Sequence, residues 1–309
     1  MRVIVTGGAG FIGSNLVDYL LGCGQEVAVF DNLSTGRVEN VDGRAYIYRG
    51  DVRDARKLRM ALIDFAPDAV AHLAAQIDVR KSVTDPAADA GVNVIGTINV
   101  GAECKAAGVG RVVFASSGGA IYGDTEFAAV EGLPEQPVSP YGVAKLAGEH
   151  YLRCQHLDDG PAWCALRLAN VYGPRQDPHG EAGVVAIFSG LLCSGLKCTI
   201  FGDGEQTRDY TYVVDVCRAF AAALESEFVG CANIGTGVET TLHDLYWQIA
   251  KACKTRRSPK TASAKPGEQR RSWLDYSLAR RELGWEPEVW LETGVQSTVA
   301  WFKEHREAP

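Results

Sequence analysis

Tyr141 and Lys145 stand four residues apart in the run Ser139-Pro140-Tyr141-Gly142-Val143-Ala144-Lys145. Ser-Pro ahead of an apolar-periodic stretch predicts a helix that opens here and runs to about Gln155, placing both side chains on one face. A phenol and an ammonium so placed point to base chemistry. A free tyrosine has a pKa of ~10, so to take a proton near pH 7 it must fall by about 3 units, or about 4 kcal/mol at ~1.36 kcal/mol per unit. A neighbouring positive charge supplies part of that. The same spacing also arises by chance, so its meaning depends on what positions it.

The positioning elements begin at the N-terminus. Val3-Ile4-Val5 reads as a short buried strand, and Thr6-Gly7-Gly8-Ala9-Gly10-Phe11-Ile12-Gly13 as a glycine turn. Phe11, Ile12, Leu16, Tyr19 and Leu20 follow at helical spacing, stopped by Gly22 and Gly24. Such a strand, turn and helix aims N-terminal N–H groups at a pyrophosphate, and the glycines let the backbone approach it. A second apolar run, Glu26-Val27-Ala28-Val29-Phe30, ends at Asp31, about 20 residues on, where an acid accepts from a ribose 2′-hydroxyl and repels a 2′-phosphate. The turn reads as a site for NAD rather than NADP; a strand-end turn role for Asp31 is the plainer alternative. The positive nicotinamide of oxidised NAD is a second source of charge for lowering the tyrosine pKa.

Apolar strands and helices continue to alternate. Strands are expected at 45–48, 69–75 and 111–117, with helices through Leu58 to Phe65 and over 88–107. This predicts an α/β doubly wound parallel sheet with ligands at the strand carboxyl ends. The loops carrying Asp31, Asp51, Ala74 and Ser117 lie there. The predicted cofactor contacts are Gly7, Gly10, Phe11, Ile12, Gly13, Asp31, Asn32, Asp51, Val52, Leu73, Ala74 and Ala75, with Tyr141 and Lys145. His72, inside an apolar strand, reads as a structural residue. Beyond Tyr172 the pattern loosens into a smaller lobe, with elements at 183–192, 199–201, 210–214, 215–226, 231–235, 241–253, 277–283 and 295–305. The expected division is a Rossmann dinucleotide domain of residues 1–171 plus about 208–232, and a substrate domain of about 172–207 and 233–309.

Composition narrows the function further. Net charge is −7, from 31 Lys and Arg against 38 Asp and Glu, with no basic block, which argues against nucleic acid or an anionic membrane as partner. No apolar run approaches the roughly 18 residues of a membrane span. The first strand begins at once, so no secretory leader is expected. The nine cysteines are scattered and form no Cys/His cluster, which predicts reduced thiols, a cytoplasmic setting and no metal site.

TGGAGFIG, Asp31-Asn32-Leu33, HLAAQ, SSGGAIYG and SPYGVAK together resemble the extended short-chain dehydrogenase/reductase family, of the NAD-dependent epimerase/dehydratase type. The likeness continues through Arg167 to Arg175, Phe201 to Tyr210, Lys265 to Glu268 and Arg281 to Trp285, nearly the whole chain. It lies closest to the branch that epimerises UDP-hexoses at carbon 4. The resemblance implies that ionised Tyr141 takes the proton of the sugar 4-hydroxyl while carbon 4 passes hydride to NAD. The 4-keto sugar then turns about its diphosphate link, and hydride and proton return to the other face. Lys145 would bind the nicotinamide ribose and hold the tyrosine pKa down.

One position departs from the family, which usually places Ser or Thr at Gly118 to bond the 4-oxygen. Ser117, or a water in the space left by Gly118, is expected to take that part. The family's 4,6-dehydratases follow with an Asp-Glu pair and its decarboxylases with a glutamate; here Gly119 and Ala120 carry no proton, favouring plain epimerisation. By resemblance, Asn170 and Arg208 hold the UDP diphosphate, and Lys265 and Glu268 reach the uridine ribose and phosphate. Ser272 is small where other members carry tyrosine, so UDP-GlcNAc joins UDP-glucose and UDP-galactose as an expected substrate. Asp177, Pro178 and Glu181, where uronate epimerases carry an arginine, disfavour a uronate. The family also implies a homodimer through stripes at Ala90, Val94, Ile98, Ala102 and at Leu146, His150, Cys154. The other readings are a different NAD-dependent nucleotide-sugar enzyme or a non-catalytic NAD sensor; sensors typically lack the tyrosine or lysine.

Overall fold

The computed structural model describes residues 1–179, 183–264 and 269–305. Seven strands form one parallel sheet: β1 (Arg2–Thr6), β2 (Glu26–Asp31), β3 (Tyr46–Arg49), β4 (Ala69–His72), β5 (Arg111–Ser117), β6 (Ala162–Leu168) and the strand Gly230–Ile234. The spatial order runs from Gly230–Ile234 through β6, β5, β4 and β1 to β2 and β3, so the direction of winding reverses between β1 and β4. Thr6 pairs with His72 and Phe30 across that centre, bringing three strand carboxyl ends together.

Alternation along the strands builds a core on each face. Val3, Val5, Val27 and Val29 join Leu16 and Leu20 of α1 (Phe11–Gly22) and Phe220 of the helix Val213–Glu225. Ile4, Ala28, Phe30, Val70, Val112 and Phe114 face the other way, onto Leu58 and Leu62 of α2 (Ala55–Phe65), Val100 and Cys104 further on, and Leu152. Both faces are covered, which explains why the strands read as continuous apolar runs.

β4 ends at His72, three residues sooner than expected, because the chain turns at Leu73 to meet β1. The helix expected over 88–107 is three pieces: α4 (Pro86–Ala90), a π-helical turn Gly91–Ile95 and α5 (Gly96–Ala107), with α3 (Val79–Thr84) just before. The wider turn carries Asn93, whose amide exchanges hydrogen bonds with the backbone of Gln76 at 3.0 and 2.8 Å. π-turns often mark such functional insertions.

The later segments are short strands and helices. Asn170–Tyr172 pairs with Tyr210–Tyr212, Thr207–Arg208 lies between Thr240–Thr241 and Arg271–Ser272, and Thr199–Phe201 pairs with Lys260–Ala262. Helices Val184–Cys193, Leu242–Ala252 and Leu291–Glu304 pack on one another. The last begins four residues before its expected start.

Candidate active site

After the single turn α6 (Gly118–Ile121) at the end of β5, the helix bearing the Tyr–Lys pair is α7 (Pro140–Leu157). Ser139 caps it, accepting from Gly142 N–H at 3.1 Å, and Pro140 occupies the first turn where its missing N–H costs nothing. Tyr141 N–H donates to Ser82 Oγ at 3.1 Å, fixing the helix start against α3. Lys145 is buried, and its ammonium donates to Ala115 carbonyl at 2.9 Å. The ammonium stands 4.8 Å from the Phe114 ring centre and 5.8 Å from that of Tyr141.

The two serines at the end of β5 part company. The Ser117 hydroxyl lies beside the Tyr141 phenol, where it favours the ionised form. Ser116 turns to the other side and donates to Glu149. Glu149, one turn beyond Lys145, is itself gripped by Arg167 at 3.0 and 2.7 Å. Such a buried pair contributes more to geometry than to net stability.

A Cβ built on Gly118 would lie 2.6 Å from Leu274 Cδ1. Leu274 therefore packs against the side of Gly118 from which a side chain would start.

Burial pushes the Tyr141 phenol up to about 12; the Ser117 hydrogen bond opposes that and the Asp89 carboxylate adds to it. Burial draws Lys145 down to about 8, with Asp89 and Glu149 holding it up. The protein's own groups thus leave the phenol protonated at neutral pH. Ionising it requires another positive charge close by, which an oxidised nicotinamide supplies.

The glycine turn fits a dinucleotide. Gly7, at φ +71°, brings its Cα so close to β4's exit that a Cβ would stand 2.7 Å from Ala74 N. A Cβ on Gly13 would stand 2.1 Å from the Gly7 carbonyl. Gly10 precedes α1 as its cap and offers no side chain to its first N–H groups, so those of Phe11, Ile12 and Gly13 are left for an anion. Asp31 is buried, and its carboxylate accepts from Ala9 N–H at 3.0 Å and Leu33 N–H at 2.8 Å. It is a turn residue, and each oxygen keeps a second lone pair for a further donor. Asn32 bonds Asp51 at 2.8 Å, Asp51 grips Arg53, and Val52 is buried beside them. Leu73 and Ala74 N–H groups both donate to Thr6 Oγ1 at 3.2 Å, with Ala75 next in the loop.

His72 is fully buried between Thr6 Oγ1 at 2.7 Å and Thr97 Oγ1 at 3.0 Å. Burial pulls it down to about 3, so it is neutral and structural.

On the other side of Tyr141, Asp209 is the hub. Its carboxylate accepts from Thr236 N–H and Oγ1, Gly237 N–H and Leu274 N–H at 2.6–3.3 Å. Its backbone joins Asn170 N–H and Ser272 carbonyl, both at 2.9 Å. Arg208 lies opposite Ser272 in the strand register and donates to Thr207 and Gln269 carbonyls at 2.7 and 2.8 Å. A methyl built on Gly119 would stand 3.8 Å from Asn170 Oδ1 and 3.9 Å from Ser272 Oγ, so these three border one space. Lys265, Glu268 and Glu181 lie outside the described residues. Sequence reasoning missed Ser82, Asp89, Asn93, Leu274 and the anchoring role of Asp209. Their contacts are long-range, and no spacing announces them.

A parallel sheet, a glycine turn at its switch point and a Tyr–Lys pair across from it define a dinucleotide-dependent enzyme that moves a proton and a hydride at one carbon. The chain belongs to the NAD dependent epimerase/dehydratase family, whose model matches residues 3–235. It is 46% identical to the UDP-glucose 4-epimerase of Mycolicibacterium smegmatis over an alignment of 310 residues, covering 98% of this chain and 99% of that one. It superposes at a TM-score of 0.96 on the UDP-glucose 4-epimerase of Thermotoga maritima with UDP-glucose, at 44% identity over 98% of this chain and 99% of that one. The TM-score to the Thermus thermophilus UDP-glucose 4-epimerase complex with NAD is 0.94, at 44% identity over 99% and 100%. Among the described residues, no helix is long and apolar enough to cross a membrane, and no group of three His, Cys, Asp or Glu side chains could hold a metal ion.

Proposed function

We propose that this protein is an NAD-dependent 4-epimerase of UDP-hexoses, working on UDP-glucose and UDP-galactose. The observation that carries the reading is the Ser117–Tyr141–Lys145 cluster at the carboxyl end of β5, two strands along the sheet from the strand that enters the glycine turn, followed by Gly119 and Ala120, which carry no proton. NAD, which the glycine turn and Asp31 would hold, would supply a hydride acceptor and donor at carbon 4. Tyr141 takes the 4-hydroxyl proton and returns it. Lys145 orients the nicotinamide ribose and keeps positive charge beside the phenolate. Ser117 bonds the 4-oxygen in the place of the family's Ser or Thr. Asn170 and Arg208 hold the diphosphate while the hexose turns, joined by Lys265 and Glu268 at the uridine end.

Residues 1–171 with about 208–232 serve the cofactor in this reading, and about 172–207 with 233–309 the nucleotide sugar. A cytoplasmic homodimer completes it. Ile98 and Leu146 are part-buried and His150 and Cys154 exposed along α5 and α7, which suits a paired-helix contact. Light scattering in solution tests the dimer.

The test of the function is conversion of UDP-galactose without added NAD, with the carbon-4 configuration read by NMR. Formation of UDP-glucose supports it; a 4-keto-6-deoxy product, or NAD binding without turnover, overturns it.

Two substitutions probe the parts. Ser117→Ala removes one hydrogen bond to a charged oxygen, about 1.5–3 kcal/mol, and kcat should fall by roughly 10- to 100-fold. Unaltered kcat removes Ser117 from the reaction. Ser272 is buried on the wall that Gly119 and Asn170 share, and its small side chain supports a reading in which a 2-acetamido group is accepted. UDP-GlcNAc should therefore be a substrate, and Ser272→Tyr should abolish its turnover while sparing UDP-glucose. Equal loss of both counts against this reading of the pocket.

A further inference from the structure

Asp89 sits on α4 with 2% of its surface exposed. One carboxylate oxygen, Oδ1, accepts from Gln76 Nε2 and from Asn93 Nδ2, both at 2.9 Å. The other, Oδ2, is buried with no hydrogen-bond partner among the described residues. A buried carboxylate oxygen left without a donor is costly, the more so when the group is charged. A pure scaffold has no use for it: an amide at this position would keep the Oδ1 contacts and bury no charge. Something nearby must gain from the charge.

What lies nearby is the reacting pair. α4 packs directly on α7, which carries Tyr141 and Lys145, and α3 joins the two through Ser82. Asp89's charge stabilises the Lys145 ammonium and opposes the Tyr141 phenolate. The other groups around the pair are His72 from β4, which is neutral, and Glu149 from α7, which is neutralised by Arg167. Arg80 and Lys81 of α3 are exposed. Asp89 is therefore the negative charge near Lys145 that no buried cation already claims.

We infer that Asp89 is a positioning residue of the reaction: clasped by Gln76 and Asn93 across the π-turn, its carboxylate holds Lys145 as an ammonium and sets the protonation balance of the Tyr141–Lys145 pair. The same clasp fixes the Leu73–Gln76 loop, so charge and cofactor loop are set by one side chain. The inference rests on the 4-epimerase reading, in which Tyr141 must be ionised and Lys145 protonated together.

Both groups respond in one direction when the negative charge is removed. The phenol ionises more easily and the ammonium loses its proton more easily. The acid limb of kcat belongs to Tyr141 and the basic limb to Lys145, so both limbs move to lower pH. Asp89→Asn keeps the acceptor for Gln76 and Asn93 and removes only the charge. Asp89→Ser removes the charge and leaves room for water. In wild type, Asp89→Asn and Asp89→Ser, the pH dependence of kcat for UDP-galactose conversion is recorded, with bound NAD measured after denaturation. The expected result is a shift of both limbs downward by about half a pH unit or more, with NAD still bound. A loss of rate with unmoved limbs, or limbs moving apart, overturns the inference. So does a failure of both variants to fold, which makes Asp89 a structural residue. If wild type itself fails to epimerise, the functional reading falls; if wild type epimerises and the limbs stay in place, only the role of Asp89 falls.

Discussion

Tyr141→Phe should lower epimerase turnover by about 10³- to 10⁴-fold, the upper range for losing a positioned acid–base group. The substitution removes one oxygen. The backbone bond from residue 141 to Ser82, the packing of the ring and the Lys145 contact to Ala115 all survive it. The variant should therefore fold, and should keep its NAD. What it loses is the atom that exchanges the 4-hydroxyl proton and the partner of Ser117. The pH dependence of the wild-type rate carries the same signature. Rate should rise with pH as the phenol, lowered by the cofactor's positive ring, ionises. It should fall again as Lys145 loses its proton around its lowered value of about 8. Conversion of UDP-galactose measured alongside NAD content decides the matter. Undiminished conversion by the variant means that another group moves the proton.

Gly13→Ala should give protein that purifies without NAD and melts several degrees lower. A methyl group there would stand 2.1 Å from the Gly7 carbonyl and 2.8 Å from Gly8 Cα. Both are backbone atoms, so relief requires the turn itself to move, at the ~1–3 kcal/mol typical of overpacking. The movement also swings the N–H groups of Phe11 and Ile12 away from the pyrophosphate, and affinity falls with their alignment. Gly22→Ala is the control in the same helix. Nothing lies within 4 Å of a Cβ there, and replacing a helical glycine by alanine is worth about 0.5–1 kcal/mol of added stability. Bound nucleotide released by denaturation, and the melting temperature, separate the two. Retention of NAD by Gly13→Ala places the pyrophosphate elsewhere.

Much of the sheet was legible because its signals are local. Val3-Ile4-Val5 and Arg111 to Ser117 are buried on both faces, so each strand is an unbroken apolar run with a polar end. Tyr141 and Lys145 announce themselves because helical periodicity puts them on one face. The features that went unread are those fixed by distant neighbours. The π-turn at Gly91–Ile95 depends on Gln76, seventeen residues before Asn93. The packing of Leu274 against Gly118 joins residues 156 positions apart, and no local pattern announces it. Asp209 stands beside Arg208 in the chain, but its carboxylate serves Thr236, Gly237 and Leu274, contacts that no spacing announces.

Leu274 has a consequence for how far this scaffold can drift in its chemistry. It is fully buried, and the flanking segment is stitched to Ala129 by bonds from Ala129 N–H to Trp273 carbonyl and from Asp275 N–H to Ala129 carbonyl. Any side chain installed at 118 meets that residue first. A mutational walk toward relatives that eliminate water, rewriting 118, 119 and 120, must therefore also carry Leu274, more than 150 positions away in the chain, out of the way, by a shift of its side chain or a smaller residue there.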